Sequence, residues 1–267
     1  MLRLLTIAGS DSGGGAGIQA DLKTFAAHGG YGMSAITAVT AQNTRGVRGV
    51  VALPPEFVRS QIDAVLEDIG ADAIKVGMLA NAGIVEAVVA ALGKRRDIPL
   101  VVDPVMVAAS GDELLDGDAV AAVRDRLLPL AHLATPNLPE AERLAGERAS
   151  TLEGRARLAR RLGDLVPAVL LKGGHADEDP MTDLLWDGRE LHRFTHPRLR
   201  RRSTHGTGCT LSSAISARLG RGETLVAAVG GAIDWLHEAI ARAEPLGGGA
   251  GPVDHFWRQR GGGECLA

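Results

Sequence analysis

Five short apolar runs, each closed by polar residues or glycine and separated from the next by a longer stretch, constrain this chain more than any other feature. They are residues 4–8 before Gly9-Ser10-Asp11, residues 73–78, residues 99–102 before Asp103-Pro104, residues 133–134 before Thr135-Pro136-Asn137, and residues 169–171 before Lys172-Gly173-Gly174. The runs are continuous rather than alternating, which is how strands covered on both faces of a parallel sheet read. Between them, residues 55–69 place Phe57, Val58, Ile62, Val65, Leu66 and Ile69 near helical spacing, and residues 82–92, 117–128, 139–145 and 152–162 read likewise. The spacing predicts a β-hairpin over 183–194, with Asp187-Gly188 at its turn, and two helices after Cys209 that part near 220–222. Strand–helix alternation of this kind implies one α/β unit over residues 1–267, a mostly parallel central sheet with helices on both faces and a small hairpin towards the C-terminal half. Ligands of such sheets sit outside the carboxyl ends of the strands. Asp11, Asp103, Asn137 and Lys172 are the polar residues expected there.

Charge and cysteine content narrow the function. A net charge of −3 offers no broad positive surface for nucleic acid. Every apolar run is cut by charge before the roughly 18–20 residues a bilayer requires, and residues 1–8 are interrupted at once by Ser10-Asp11-Ser12, so neither a span nor a signal segment is expected. Cys209 and Cys265 are the two cysteines, a usage that suits a reducing, cytoplasmic compartment without a structural disulfide. Glycine reaches 35 residues while aromatics make up 3%, which suggests backbone approaching a ligand closely in several places.

The glycines cluster in two segments. Gly9-Ser10-Asp11-Ser12-Gly13-Gly14-Gly15-Ala16-Gly17 follows the first strand and precedes a helix over 18–27; its amides are placed either to face an anion or flat ring, or to form a loose turn. It is neither a P-loop nor a dinucleotide fingerprint. Thr204-His205-Gly206-Thr207-Gly208-Cys209-Thr210 opens a second helix, where Gly206, Thr207 and Gly208 would supply an anion cradle of backbone N–H groups. A thiol at that end is expected to have a lowered pKa and to serve as base or nucleophile; the alternative is an inert buried cysteine. Asp103 and Glu140 follow adjacent strands and suit Mg²⁺ beside phosphate oxygens, although a turn residue and a first-turn helix residue explain them equally. Lys172, among glycines in a lysine-poor chain, is a compact cation for phosphate. Gln42 donates and accepts at once, which suits an aminopyrimidine edge, and is otherwise a polar strand-edge residue. Arg198–Arg202 reads as reaching nucleotide phosphates or solvent, and the 155–161 arginines as a solvated face. His175 receives no role, and no second ligand at metal spacing accompanies His205, so zinc is not expected.

Together these motifs resemble the hydroxymethylpyrimidine/phosphomethylpyrimidine kinases of thiamine biosynthesis, within the ribokinase-like superfamily. The likeness runs nearly end to end, through residues 8–21, Thr40-Ala41-Gln42-Asn43-Thr44, Lys75-Val76-Gly77-Met78-Leu79, Asp103-Pro104-Val105-Met106, Thr135-Pro136-Asn137, Lys172-Gly173-Gly174-His175, residues 203–213 and a closing segment at 249–256. Cys209 is the specific element, since most ribokinase-like sugar kinases carry Asp there. The resemblance implies phosphorylation of 4-amino-5-hydroxymethyl-2-methylpyrimidine by ATP with Mg²⁺, then of the monophosphate to the diphosphate, and leaves room for a monovalent cation. It implies Gln42 on the pyrimidine, Gly9, Asp21, Val39, Met78 and Val105 shaping the pocket, and Gly206, Thr207, Gly208 and Cys209 around the transferring phosphoryl group. Asp103 and Glu140 would organise Mg²⁺, with Asn137, Lys172 and Thr207 on ATP. Relatives are commonly homodimers. Pyridoxal kinase, a silent pyrimidine-binding regulator and a nicotinamide oxidoreductase are the competing readings, the last disfavoured by the missing dinucleotide fingerprint.

Overall fold

A computed structural model describes residues 1–107, 117–175 and 179–260. In it a nine-stranded sheet has the order β3-β2-β1-β4-β5-β6-β7-β8-β9. Six strands are parallel: β2 (Gly30–Asn43), β1 (Leu2–Asp11), β4 (Ala73–Val76), β5 (Leu100–Val102), β6 (Leu133–Ala134) and β7 (Val169–Leu171). β3 (Gly46–Ala52) runs antiparallel on the β2 edge, and β8 (Met181–Trp186) and β9 (Leu191–His196) form an antiparallel hairpin beyond β7. Every residue of β4, β5, β6 and β7 is buried, as the continuous apolar runs require.

Helices cover both faces. On one, α2 (Pro55–Asp68), α3 (Ala82–Leu92), α4 (Gly117–Ala122), α5 (Leu138–Ala145) and α6 (Leu152–Leu162) contribute to the large core around Ile74, Val76, Val102 and Val169. On the other, α7 (Thr207–Gly220) and α8 (Leu225–Ala241) pack over Val101, Leu133 and Leu170, while α1 (Gly17–Ala27) brings Phe25 against Leu4 and Ala73. A short α9 (Trp257–Arg260) follows. No helix among the described residues is long and apolar enough to cross a membrane.

The expected elements are present, with three differences. β1 continues through Gly9 to Asp11 because the register shifts between Ala8 and Ser10; a bulge there lets the strand hold its pairing with β2. β2 and β3 are longer, more exposed strands without a continuous apolar run. The predicted helix at 117–128 breaks after Ala122 into a π turn over Val123–Leu127 and a 3₁₀ turn over Leu128–Leu130, where Pro129 ends regular helical bonding. The hairpin turn is held by Asp187, whose Oδ1 accepts from Arg189 N and Glu190 N at 2.9 and 2.8 Å.

Candidate active site

The carboxyl ends of the parallel strands open into one cavity of about 840 Å³. Sheet order arranges its walls in three groups. From β1, β2 and the residues after β4 come Gly9, Gln42 and Met78; after β5, β6 and β7 come Asp103, Asn137 and Lys172; from the end of the hairpin come His196, Pro197 and Leu199, facing α8 residues Ile233, Leu236, His237 and Ile240. α7 contributes its N-terminal residues Thr207, Gly208 and Cys209, preceded by Gly206.

The middle group is a charged cluster. Lys172 Nζ lies 2.7 Å from Asp103 Oδ1 and 4.0 Å from Glu140 Oε2, and Thr135 Oγ1 donates to Asp103 Oδ1 at 3.1 Å. Burial alone would depress the Lys172 pKa, but the Asp103 and Glu140 carboxylates outweigh it and hold the ammonium above its usual range. Burial, reinforced by Asp103 and opposed by Lys172, pushes the Glu140 carboxyl up. Asn137 and Glu140 also form a reciprocal capping box, Asn137 N donating to Glu140 Oε2 at 2.8 Å and Glu140 N to Asn137 Oδ1 at 2.9 Å. The helix-start and site readings of Glu140 are therefore compatible: the cap fixes the carboxylate beside Lys172.

The α7 N-terminus stands over this cluster. A Cβ at Gly208 would lie 3.2 Å from Lys172 Nζ and 3.5 Å from Asp103 Oδ2, so the α7 amides and the lysine address the same space. Gly206 has φ +76° and its Cβ position is filled by the Gly15 carbonyl oxygen, which makes glycine obligatory there. Cys209 corrects one expectation. Burial, with Asp21 and Asp103 adding to it, pushes its thiol up to about 11, against the pull of Lys75 and the Gly17 amide. The helix terminus does not prevail over desolvation, and the resting side chain is a thiol.

At the β1–β2 end of the cavity, Thr40 Oγ1 lies 3.0 Å from both Ser10 O and Gln42 Oε1, anchoring the Gln42 amide, and Ser12 Oγ bonds Gln42 N and O at 2.8 Å. Gly9 lies against Met78, whose sulfur would be 2.7 Å from a Cβ at position 9. Val105 lines the same cavity.

Two expected pocket residues lie elsewhere. Asp21 is fully buried behind the wall, where both its oxygens take Lys75 Nζ at 2.9 Å and accept from Thr6 Oγ1 at 2.6 Å and Ser213 Oγ at 2.7 Å. Val39, 46% exposed, pairs with Val51 on the outer side of the β2–β3 ribbon, because strand alternation turns it away from its neighbour Thr40. The first glycine loop faces an anion, but one that belongs to the chain. Asp11 occupies it: Gly13 N and Ala16 N donate to the carboxylate at 2.8 Å and Gly15 N at 3.0 Å, while Gly14 N bonds Asp11 O. Its amides hold a side chain of the protein itself.

Sequence reasoning left Lys75 without a task. A charged residue inside an otherwise apolar strand was the signal, and it lines the cavity floor with its pKa raised by Asp21 against burial. The wall beyond the hairpin had no local motif. His196 and His237 stack edge to face at 5.5 Å and His237 Nε2 bonds Pro197 O, a contact between segments 40 residues apart.

An α/β sheet with a terminal hairpin and a strand-end cavity holding a glycine-rich helix N-terminus, a lysine and paired carboxylates defines a ribokinase-like phosphotransferase. The phosphomethylpyrimidine kinase profile matches residues 11–254, and the chain belongs to that family. It is 52% identical over 95% of its length to the hydroxymethylpyrimidine/phosphomethylpyrimidine kinase of Streptomyces coelicolor, covering 94% of that protein. It is also 52% identical to the thiamine biosynthesis bifunctional protein ThiED of Geobacter sulfurreducens, over 95% of this chain, and spans about half (52%) of that longer relative. The Bacillus subtilis pyridoxal kinase solved as an ADP complex has TM-score 0.90 at 34% identity, covering 97% of this chain and 99% of that one.

Proposed function

We propose that this kinase transfers the terminal phosphoryl group of ATP to the hydroxymethyl oxygen of 4-amino-5-hydroxymethyl-2-methylpyrimidine, and then phosphorylates the monophosphate to the diphosphate, in thiamine biosynthesis. The observation that carries the reading is the single cavity in which Gln42, at one end, and the α7 N-terminus with Lys172, in the middle, are open to the same ligand space. Gln42, Gly9, Met78 and Val105 form the ring pocket. Asp21 and Val39 are not part of it: Asp21 supports the wall through Lys75.

Phosphoryl transfer depends on alignment and charge neutralisation more than on covalent chemistry. The amides of Gly206, Thr207, Gly208 and Cys209 receive the transferred group, Lys172 and Asn137 hold the nucleotide phosphates, and the apolar wall of Leu199, Ile233, Leu236 and Ile240 receives the base. Asp103 and Glu140, two buried carboxylates facing one ammonium, form a site short of positive charge that fits Mg²⁺, which when bound would neutralise phosphate oxygens. Cys209 lies at the cradle to take the hydroxyl proton. With its thiol near 11, only about one molecule in 10⁴ carries the thiolate at pH 7, so this base contributes through a small population unless the bound phosphates shift it. In the second transfer the acceptor is already an anion, and the cradle and Lys172 carry the catalysis. The cysteine content and an ATP-dependent reaction support a cytoplasmic location. We assign it a homodimeric state, with the exposed Val39–Val51 pair as a candidate contact.

The favoured alternative acceptor is pyridoxal, supported by the fold likeness but at lower sequence identity. The test is ATP consumption with the pyrimidine alcohol, its monophosphate and pyridoxal in parallel, with mono- and diphosphate products separated. The expected order of kcat/KM has the pyrimidine first; preference for pyridoxal would reverse the assignment.

A further inference from the structure

Asp11 and His205 are 194 residues apart in sequence, and their side chains meet at 2.8 Å. Both are nearly inaccessible, with 3% and 9% of the side-chain surface exposed. Because Asp11 already accepts three loop amides and is held below the usual carboxylate range despite its burial, it remains an acceptor, and His205 Nε2 carries the donated proton. His205 is gripped at its backbone as well: its N–H donates to Gly251 O at 3.0 Å and it bridges Pro252. The next residue is Gly206, whose missing side chain admits the Gly15 carbonyl, and Gly15 in turn has no room for a Cβ beside the His205 ring. The 13–16 loop, the 251–252 segment and the start of the anion cradle therefore converge on one imidazole–carboxylate contact.

We propose that Asp11 and His205 form a positioning latch that fixes the amides of residues 206–209 against the first glycine loop. The latch deepens the phosphotransferase reading and rests on it: neither side chain touches the reacting atoms, and both act through the cradle. A charge-assisted bond at a desolvated site is strong enough to set the placement of the adjoining backbone. Misplacement of a phosphoryl-binding group by an ångström is the kind of error that costs rate rather than ground-state affinity.

The test uses the full chain with His205→Gln, whose amide nitrogen stands where Nε2 was, and His205→Leu, which removes the donor. With MgATP and the pyrimidine alcohol, His205→Leu is expected to lower kcat about 100-fold while KM for the alcohol moves less than about threefold, and His205→Gln to restore kcat to within about tenfold of the unmodified protein. Without any ligand, amides of Gly13, Gly15 and Ala16 should exchange about tenfold faster in His205→Leu and remain protected in His205→Gln. Equal kcat in the two variants, or unchanged exchange in the leucine variant, overturns the latch. Should His205→Leu not fold, His205→Asn, whose shorter amide falls short of Asp11, takes its place with the same expectations. If the unmodified protein fails to phosphorylate the alcohol, the kinase reading falls, and the exchange measurement still judges the latch by itself.

Discussion

The Asp21–Lys75 pair gives the sharpest quantitative test of how the cavity floor is built. Both side chains have no accessible surface, and Lys75 Nζ lies 2.9 Å from each carboxylate oxygen. Thr6 and Ser213 donate to the same carboxylate, tying β1 and α7 to α1 through one group. Asp21→Asn leaves the ammonium buried without its counter-charge, and Lys75→Met leaves the carboxylate so. Removing one partner of such a pair costs about 3–5 kcal/mol, whereas replacing both is far milder because no bare charge remains. At about 2 °C per kcal/mol for a chain of this size, each single variant should melt about 6–10 °C lower. The double variant Asp21→Asn/Lys75→Met should lose clearly less than the sum of the two. Urea unfolding of the four proteins, with KM for the pyrimidine measured on the folded fraction, decides the matter. Singles that lose less than about 1 kcal/mol, or effects that add to within about 0.5 kcal/mol, would refute the buried-pair reasoning. A large rise in KM for Asp21→Asn without a loss of stability would return Asp21 to the substrate.

Three other expectations follow from the geometry. Gly206→Ala should cost about 1–2 kcal/mol from its left-handed backbone alone and, by displacing the Gly15 carbonyl, lower kcat about 100-fold or more; unchanged kcat in a folded variant removes the cradle from the mechanism. In a Cys265→Ser background, alkylation of Cys209 by iodoacetamide at pH 7 should be about 100-fold slower than for an ordinary thiol and keep rising towards pH 11, and a plateau near neutral pH would mean a resting thiolate. Burial holds His28 and His255 neutral down to about 4, against 6.5 for the unfolded groups. The unfolded chain therefore binds more protons between those values. The stability these groups lend is complete above pH 6.5 and is lost as pH falls towards 4, by about 3 kcal/mol per histidine. Urea midpoints between pH 7.5 and 4.5 should fall accordingly, with about half of the histidine part of that fall absent in His255→Gln; an identical slope in the variant contradicts the assignment.

Much of the architecture was legible because buried parallel strands leave an unmistakable pattern: a run such as Val169–Leu171 can be stopped by Lys172 only where the strand emerges at a ligand-bearing edge. The positions of Asp103, Asn137 and Lys172 followed from that alone, and the helix opened by Gly206-Thr207-Gly208 followed from glycine next to a hydroxyl residue. What escaped was the direction in which groups point. The first glycine loop reads as an anion nest, and it is one, but nothing local shows that the anion is its own Asp11. Cys209 illustrates a competition of magnitudes, since the helix-terminal effect is visible in sequence while the depth of burial is not. Asp21 and Val39 were carried by likeness to a motif, which transmits residue type without saying which side of a wall the residue occupies. β3 and the hairpin-side wall, built from exposed or scattered residues, have no periodic signature.

The latch also bears on how the molecule comes into being. Synthesis proceeds from the amino end, so β1, β2 and β4 can pair before most of the remaining chain has been made. Asp11, at the end of β1, then waits for a histidine nearly two hundred positions later, and that histidine is itself pinned by Gly251 and Pro252. Such distant closures are slow to form. A nascent chain shorter than about 250 residues can therefore own most of its sheet while the backbone at 206–209 is still unfastened, so the proposed latch closes only once Gly251 and Pro252 have been made.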